Sequence, residues 1–500
     1  MIPRALPQRA LPVTHELALL DIAHTRALEQ QAAAALPPYA LMARAGAATA
    51  HLALAIAPHA ERVWIAAGPG NNGGDGLEAA CHLQRAGRRV KVSLLGDAAA
   101  LPADAAQALA RAQAEHVSIE TSLPSAAPDL AIDALLGIGA SRAPHGAIEA
   151  AIRHIGAWHC PVLAIDVPSG LNADTGQPLG DACVTATHTL TMLAWKPGLF
   201  TGAGRDHAGI AWLATLQNEV APVSPQAWLC GVSPRAPRQH ALHKGSFGDV
   251  AIVGGSRGMG GAAFLAARAA QAAGAGRVYV DLLDHDLAAL DPLHPELMVR
   301  RDWSSASTPE ALARSTVVCG CGGGEAVRKP LPRLLSLARR LVLDADALNA
   351  LATDPMLQRL LQARAARGLA SVLTPHPLEA ARLLGCTAGE VQRDRLHAAR
   401  ELAAQQRACV VLKGSGTVIA MPDRTPRINA TGSAALATAG TGDVLAGWLG
   451  GRWAQIASKD EPAAAHAVAI QAVAEHGAAV EPPVEGALLA SALIERLARR

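Results

Sequence analysis

Two glycine-rich segments far apart in the 500-residue chain combine backbone N–H groups with carboxylates: Gly68-Pro-Gly-Asn-Asn-Gly-Gly-Asp-Gly76 and Thr438-Ala-Gly-Thr-Gly-Asp443. Glycine tolerates positive φ and lets the backbone approach a ligand closely. A loop that feeds the start of a helix turns its N–H groups toward an anion. In the first segment Asn71, Asn72 and Asp75 add side-chain oxygens that a plain phosphate loop lacks, which suits a site holding both a ligand and a cation. That segment fits neither G-x-G-x-x-G with a distant acid nor G-x-x-x-x-G-K-[ST]. In the second, the N–H groups of Gly440 to Gly442 can stabilise a transferring phosphoryl group while Asp443 accepts a proton from a hydroxyl.

Further donors fall where strands should end. Asp133-Ala-Leu-Leu-Gly-Ile-Gly139 and Ile165-Asp-Val-Pro-Ser-Gly170 each follow an apolar run. Asn72, Asp133 and Ser169 with nearby carbonyls suit a hard cation, and Asp166 is placed for acid–base work. In the second half the same position is taken by Cys319-Gly-Cys-Gly-Gly-Gly324, Asp344-Ala-Asp-Ala-Leu-Asn349, Leu373-Thr-Pro-His-Pro377 with Glu379, and Val411-Leu-Lys-Gly-Ser-Gly-Thr417. Prolines on both sides of His376 fix the local backbone.

The elements that must position these residues alternate between short apolar runs and helical spacing, the pattern of a parallel sheet with helices on both faces. Strands are expected at 62–67, 90–95, 130–135 and 162–167. Helices are expected through 15–60, from Leu77 onward, and at 103–115 and 147–155. A Pro-rich stretch without periodicity reads as a linker, so the chain divides into domains at 1–222 and 243–500 with 223–242 between them. Strands of the second domain are expected at 249–253, 277–283, 316–318, 341–343, 371–373 and 409–412, with a helix at 262–273. The fold class is α/β, and the length itself calls for more than one core.

Composition removes other function classes. Lys and Arg number 44 against 42 Asp and Glu, so no basic excess marks a nucleic-acid binder. Aromatics at 3% give no stacking platform for single strands. Eight cysteines lack C-x-x-C spacing and paired histidines, so neither a disulfide framework nor a zinc-finger pattern is expected. No run reads as a signal peptide or a membrane span, which predicts a cytoplasmic protein.

Gly70-Asn-Asn-Gly-Gly-Asp-Gly76, Asp133-Ala-Leu-Leu-Gly137 and Asp166-Val-Pro-Ser-Gly-Leu171 resemble the epimerase domain of the bifunctional NAD(P)H-hydrate repair family, over roughly residues 15–220. The Gly-Thr-Gly-Asp motif, Asp344-Ala-Asp-Ala-Leu-Asn349 and Thr374-Pro-His-Pro377 resemble that family's ADP-dependent dehydratase, over about 240–495. The resemblance implies a Rossmann-like three-layer α/β domain followed by a ribokinase-like one. It implies that Asn71, Asn72, Gly73, Gly74, Asp75, Gly137, Ile138, Gly139, Ala140, Ser141, Arg142, Ala143 and Asp166 contact the hydrated dinucleotide, with K⁺ on Asn72, Asp133 and Ser169. In the second domain it places Lys413, Gly414, Ser415, Gly416, Thr417 and Gly442 on the adenine nucleotide. Ala262, Gly322, His376 and Asp443 face the hydrate. Asp166 and Asp443 are the catalytic candidates, ADP is the co-substrate, and Mg²⁺ is expected for phosphoryl transfer. By family the chain is a homo-oligomer, a tetramer. Two rival readings are a ribokinase-like kinase for a vitamin precursor with a regulatory nucleotide-binding domain, and a non-catalytic interaction module in the first half.

Overall fold

A computed structural model describes residues 6–216, 223–234, 238, 240–288, 290–481, 486 and 488–500. The chain forms two compact units, one of Met1–Val13 with Leu17–Leu229 and one of Thr14–Glu16 with Cys230–Arg500. Residues 235–237 and 239 of the expected linker lie outside the described residues. Inside that stretch, Ala227–Cys230 forms a strand that pairs antiparallel with Leu17–Leu19. Its Ala227, Leu229 and Cys230 are buried, and that apolar content outweighs the flanking prolines.

In the first unit eight strands lie in the order Gln8–Arg9, Ile210–Ala214, His188–Met192, Val162–Ile165, Leu130–Ala134, Arg62–Ala67, Arg89–Leu94, Ser118–Glu120. All pairings are parallel except that of Gln8–Arg9. From Arg62–Ala67 the chain builds outward on one side and then returns to build on the other. Such a reversal opens a crevice at the carboxyl ends of the strands. The buried runs Val-Trp-Ile-Ala-Ala67 and Leu-Ala-Ile-Asp-Ala134 flank that crevice.

Two local expectations differ from what forms. Leu17–Leu19 is a strand, and the helices begin only at Ile22 and Ala40. The helix after the first glycine segment starts at Asn71, not Leu77, and runs to Arg85. Asn and Asp are poor in helix interiors but well suited to a first turn, so the motif is the opening of the helix and not a loop before it.

The second unit repeats the architecture on its own sheet. Met298–Val299, Arg277–Leu282, Asp249–Gly254, Ser315–Cys319, Arg340–Leu343, Ala370–Leu373 and Cys409–Leu412 are parallel neighbours in that order. Val418–Met421 and Arg424–Asn429 extend it antiparallel. Its order reverses between Asp249–Gly254 and Ser315–Cys319, and the crevice there receives the second glycine segment. The helix Thr441–Ala454 lies against Gly260–Ala272 through Gly447 and Gly451, where a Cβ would strike the backbone of Ala266 and Ala270. Close approach of these helices brings Asp443 to the crevice. Among the described residues, no helix is long and apolar enough to cross a membrane.

Candidate functional site

The first crevice is walled by glycines for a steric reason. A Cβ on Gly68 would meet the Leu135 carbonyl, and one on Gly73 the Gly68 carbonyl, so the turn after Arg62–Ala67 folds on its own backbone and on the next strand. It opens a cavity of about 670 Å³ lined by, among others, Arg26, Glu29, Asn72, Asp75, Asp166 and Lys196. Asn71, Gly137, Ile138, Gly139 and Ala140 also line it. Ser141, Arg142 and Ala143 do not; they are exposed beyond its edge.

Asp166 stands directly after the strand Val162–Ile165 with φ +69°, a left-handed conformation that a non-glycine residue holds only when its surroundings enforce it. The enforcement is visible. Oδ2 accepts from Ile138 N–H at 3.0 Å, while Oδ1 accepts from Lys196 Nζ at 2.7 Å and from Met192 N–H at 3.4 Å. Lys196 is wholly buried and spends its other bonds on Thr191 Oγ1 at 2.8 Å and the Met192 carbonyl at 2.7 Å. A buried carboxylate is tolerable only with such a partner.

Lys196 lines the cavity and holds Asp166, yet no sequence motif singles it out. Its segment, Trp195-Lys-Pro-Gly198, carries no motif, and the one available signal was a lone lysine in an otherwise apolar stretch. Three further carboxylates line the same cavity, those of Glu29, Asp75 and Asp104. Burial, then the charge of Asp166, then that of Glu29, push Asp75 well above the usual carboxylate range. Burial followed by Asp166 raises Glu29 as well.

Behind the cavity Asp133 is fully buried and accepts from Ser169 Oγ at 2.6 Å, Ser169 N–H at 2.8 Å and Leu135 N–H at 3.2 Å. Burial pushes its carboxyl up to about 6 despite those bonds. No basic side chain bonds to it among the described residues, and the buried Asn72 Nδ2 nearby in the crevice has no partner. Asp133, Ser169 Oγ and the Leu136 carbonyl, 3.3 Å from that hydroxyl, form an all-oxygen donor set. That set suits a hard cation, which would also supply the charge that Asp133 lacks.

The second crevice gathers residues from four strand ends. Lys413 Nζ donates to Asp344 Oδ1 at 2.8 Å, and Thr374 Oγ1 donates to the same oxygen at 2.7 Å. Burial works against the Lys413 ammonium, but Asp344 and Glu379 outweigh it and hold it above its ordinary value. Gly440, at φ +88°, caps the helix from which Asp443 projects in the first turn. A Cβ on Gly442 would stand 3.4 Å from Lys413 Nζ. The lysine ammonium thus lies against the first turn of that helix.

Burial and the charge of Asp344 push Asp443 up to about 7 against the pull of Cys321 and Lys413. A base with that value is half-ionised at neutral pH, the condition in which general-base catalysis is most efficient. If Asp443 serves as a general base, the rate of its reaction is expected to rise as pH increases through about 7, because the protonated carboxyl of lower pH cannot accept a proton. A kcat profile flat across neutrality contradicts that role.

The remaining predicted residues divide. At Gly322, which has φ +58°, an added Cβ would stand 2.6 Å from the Met259 carbonyl and 3.0 Å from Ala262 Cβ, so these two predicted residues are neighbours. His376 caps the helix Pro377–Leu384: Nδ1 accepts from Leu378 and Glu379 N–H, and Glu379 accepts from His376 N–H at 2.8 Å. Its Nδ1 is thus occupied, and only the Nε2 side of the ring is presented outward, 3.4 Å from Glu379 Oε1. The turn Lys413 to Thr417 is set by Gly414 at φ +138° and by Arg395, a buried guanidinium that donates to the carbonyls of Leu412 and Lys413 at 3.1 Å. Arg395 was not legible in sequence either.

Comparison with known proteins matches this division. A family model described as NAD(P)H-hydrate dehydratase matches residues 250–498, and one described as YjeF-related protein N-terminus matches 38–198. The chain is 38% identical over 461 residues to the bifunctional NAD(P)H-hydrate repair enzyme Nnr of Escherichia coli, covering 89% of this chain and 85% of that protein. It is 37% identical to the enzyme of the same name from Coxiella burnetii, covering 88% and 91%. Among solved structures it is similar to an ADP/ATP-dependent NAD(P)H-hydrate dehydratase of Bacillus subtilis co-crystallised with ATP/Mg²⁺, at 33% identity, 53% and 92% coverage and a TM-score of 0.45. The chain belongs to the family of bifunctional NAD(P)H-hydrate repair enzymes.

Proposed function

We propose that the first unit interconverts the R and S epimers of hydrated NADH and NADPH, and that the second dehydrates the S epimer at the expense of ADP, releasing AMP and phosphate. The observation that carries the second step is Asp443, raised to about 7 at a glycine-capped helix start beside the Lys413–Asp344 pair. A hydroxyl at C6 of the reduced ring is a poor leaving group. Asp443 takes its proton while the oxygen attacks the β-phosphoryl of ADP, AMP departs, and phosphate then leaves with a proton from the neighbouring ring carbon to restore the double bond.

The N–H groups of Gly440 to Gly442 and the Lys413 ammonium meet the charge that develops on the transferring group. Lys413 to Thr417 turn around the nucleotide, and Ala262, Gly322 and the Nε2 face of His376 bound the hydrate. Mg²⁺, bound through oxygens, would neutralise charge on the nucleotide phosphates. The test is stoichiometry: with S hydrate and ADP, one AMP and one phosphate should appear for each dihydronicotinamide regained. AMP or phosphate formed without ring recovery would refute the coupling.

In the first unit, loss and re-addition of water at C6 needs a group that takes and returns a proton. Asp166, locked by Lys196 and Ile138 N–H, is that group in this reading. Asn71 to Asp75 and Gly137 to Ala140 hold the dinucleotide in the cavity, Ser141 to Ala143 meet the part of it that extends past the cavity edge, and Asn72, Asp133 and Ser169 hold K⁺, whose charge offsets Asp133. Epimerisation is expected to lose most of its rate when K⁺ is replaced by tetramethylammonium and to lose its K⁺ dependence in Asp133→Asn; equal rates in both salts would overturn the cation assignment. A tetrameric homo-oligomer in the cytoplasm completes the proposal, with sedimentation equilibrium as the check on its subunit number.

A further inference from the structure

The second unit assembles a donor set that its cysteine spacing does not announce. Cys321 follows the strand Ser315–Cys319, Asp344 follows Arg340–Leu343, and Asp443 opens the helix Thr441–Ala454. The Cys321 sulfur and one carboxylate oxygen from each aspartate lie within 4.8 Å of one another. Asp344 divides its oxygens: Oδ1 is taken by Lys413 and Thr374, while Oδ2 faces Cys321 Sγ at 4.0 Å, a long contact for a weak thiol donor. Cys321 and Asp344 are buried and Asp443 is partly exposed, so the convergence point is reached past Asp443.

Charge and softness define what fits. Once a metal displaces the Cys321 proton, the thiolate and two carboxylates beside the Lys413 ammonium would carry two net negative charges, which one divalent cation neutralises. Mg²⁺ prefers oxygen alone, whereas thiolate sulfur favours Zn²⁺ or Cd²⁺.

We propose that Cys321 Sγ, Asp344 Oδ2 and the Asp443 carboxylate form an inhibitory site for a thiophilic divalent cation of the Zn²⁺ class, with water as the remaining ligand. On binding, the Cys321 S–H proton passes to solvent and a metal–sulfur bond forms; nothing is oxidised. Ligation occupies the oxygen with which Asp443 takes the substrate proton, so the cation switches off dehydration and spares epimerisation. The inhibition rests on the role proposed for Asp443, whereas the binding does not.

The test uses the full chain without nucleotide, titrated with Co²⁺ as a spectroscopic stand-in and with Zn²⁺ against a chromophoric chelator. A sulfur-to-Co²⁺ charge-transfer absorption is expected in the unmodified chain and its loss in Cys321→Ser and Cys321→Ala. Zn²⁺ affinity should fall at least about tenfold in those variants and in Asp443→Asn. An absorption unchanged by substitution at Cys321, or none at all, overturns the site and leaves Cys321 as a thiol donor to the two carboxylates.

In the recovery assay, Zn²⁺ should stop dehydration at concentrations at least about tenfold lower for the unmodified chain than for Cys321→Ser, each compared with its own metal-free rate. Binding through Cys321 without inhibition would overturn the inhibitory part. If the unmodified chain regains no dihydronicotinamide even without Zn²⁺, the dehydratase reading fails, and the Co²⁺ titration still decides the site.

Discussion

Asp443→Asn is expected to cut ADP-dependent dehydration by roughly 10²–10⁴-fold, the usual worth of a positioned general base. The substitution keeps the shape of the side chain and the helix start capped by Gly440, so the fold should survive. What disappears is the proton acceptor. Its amide would face Asp344 and Cys321 without a charge, and Lys413 would keep its bond to Asp344 Oδ1 at 2.8 Å. Nucleotide binding, measured by calorimetry with ADP, should therefore change little while kcat collapses. The first unit carries its own chemistry, so epimerisation should proceed at the unmodified rate. Dehydration by the Asn variant within a few-fold of normal would remove Asp443 from the mechanism.

Lys196→Met should be the most damaging change in the first unit, and for two separable reasons. The ammonium is wholly buried and bonds to Asp166, Thr191 and Met192, so its removal strands a carboxylate in the cavity wall. Breaking a buried pair from one side costs about 3–5 kcal/mol. Epimerisation should also fall, because Asp166 loses the partner that sets its position. The double variant Lys196→Met with Asp166→Asn separates the effects: stability, read by denaturant midpoint, should return partly because no unpaired charge remains, whereas epimerisation should not return. Additive losses of stability would mean that the two side chains do not act as a pair.

The strand ends that carry the chemistry were legible because their signals are local. A run such as Val-Leu-Ala-Ile165 followed by Asp-Val-Pro-Ser-Gly170 announces strand, then oxygen donor, then turn; the strand ends at Ile165 and not at the expected Val167, Asp166 lines the crevice, and Ser169 lies behind it on Asp133. Gly440 to Asp443 were legible in the same way. Lys196 and Arg395 were not legible because their meaning is contact over distance: one charge meets Asp166 across 30 residues of chain, the other meets carbonyls of Leu412 and Lys413. The start of the helix at Asn71 was misplaced by propensity, since Asn, Gly and Asp argue against a helix interior and are silent about a first turn. The strand Leu17–Leu19 was hidden in an Ala- and Leu-rich stretch whose composition favours helix; pairing with Ala227–Leu229 decides it.

The central claim is that one chain performs two consecutive repair steps at two separate sites. It is tested most directly by mixing the protein with an epimeric mixture of NADH hydrate, K⁺, Mg²⁺ and ADP, and following the return of dihydronicotinamide absorbance to its end point. The whole mixture should be recovered, faster than the epimers interconvert in buffer alone, with the R fraction consumed as quickly as the S fraction is drained. Recovery that stops at the S fraction, or no recovery with ADP present, would contradict the claim.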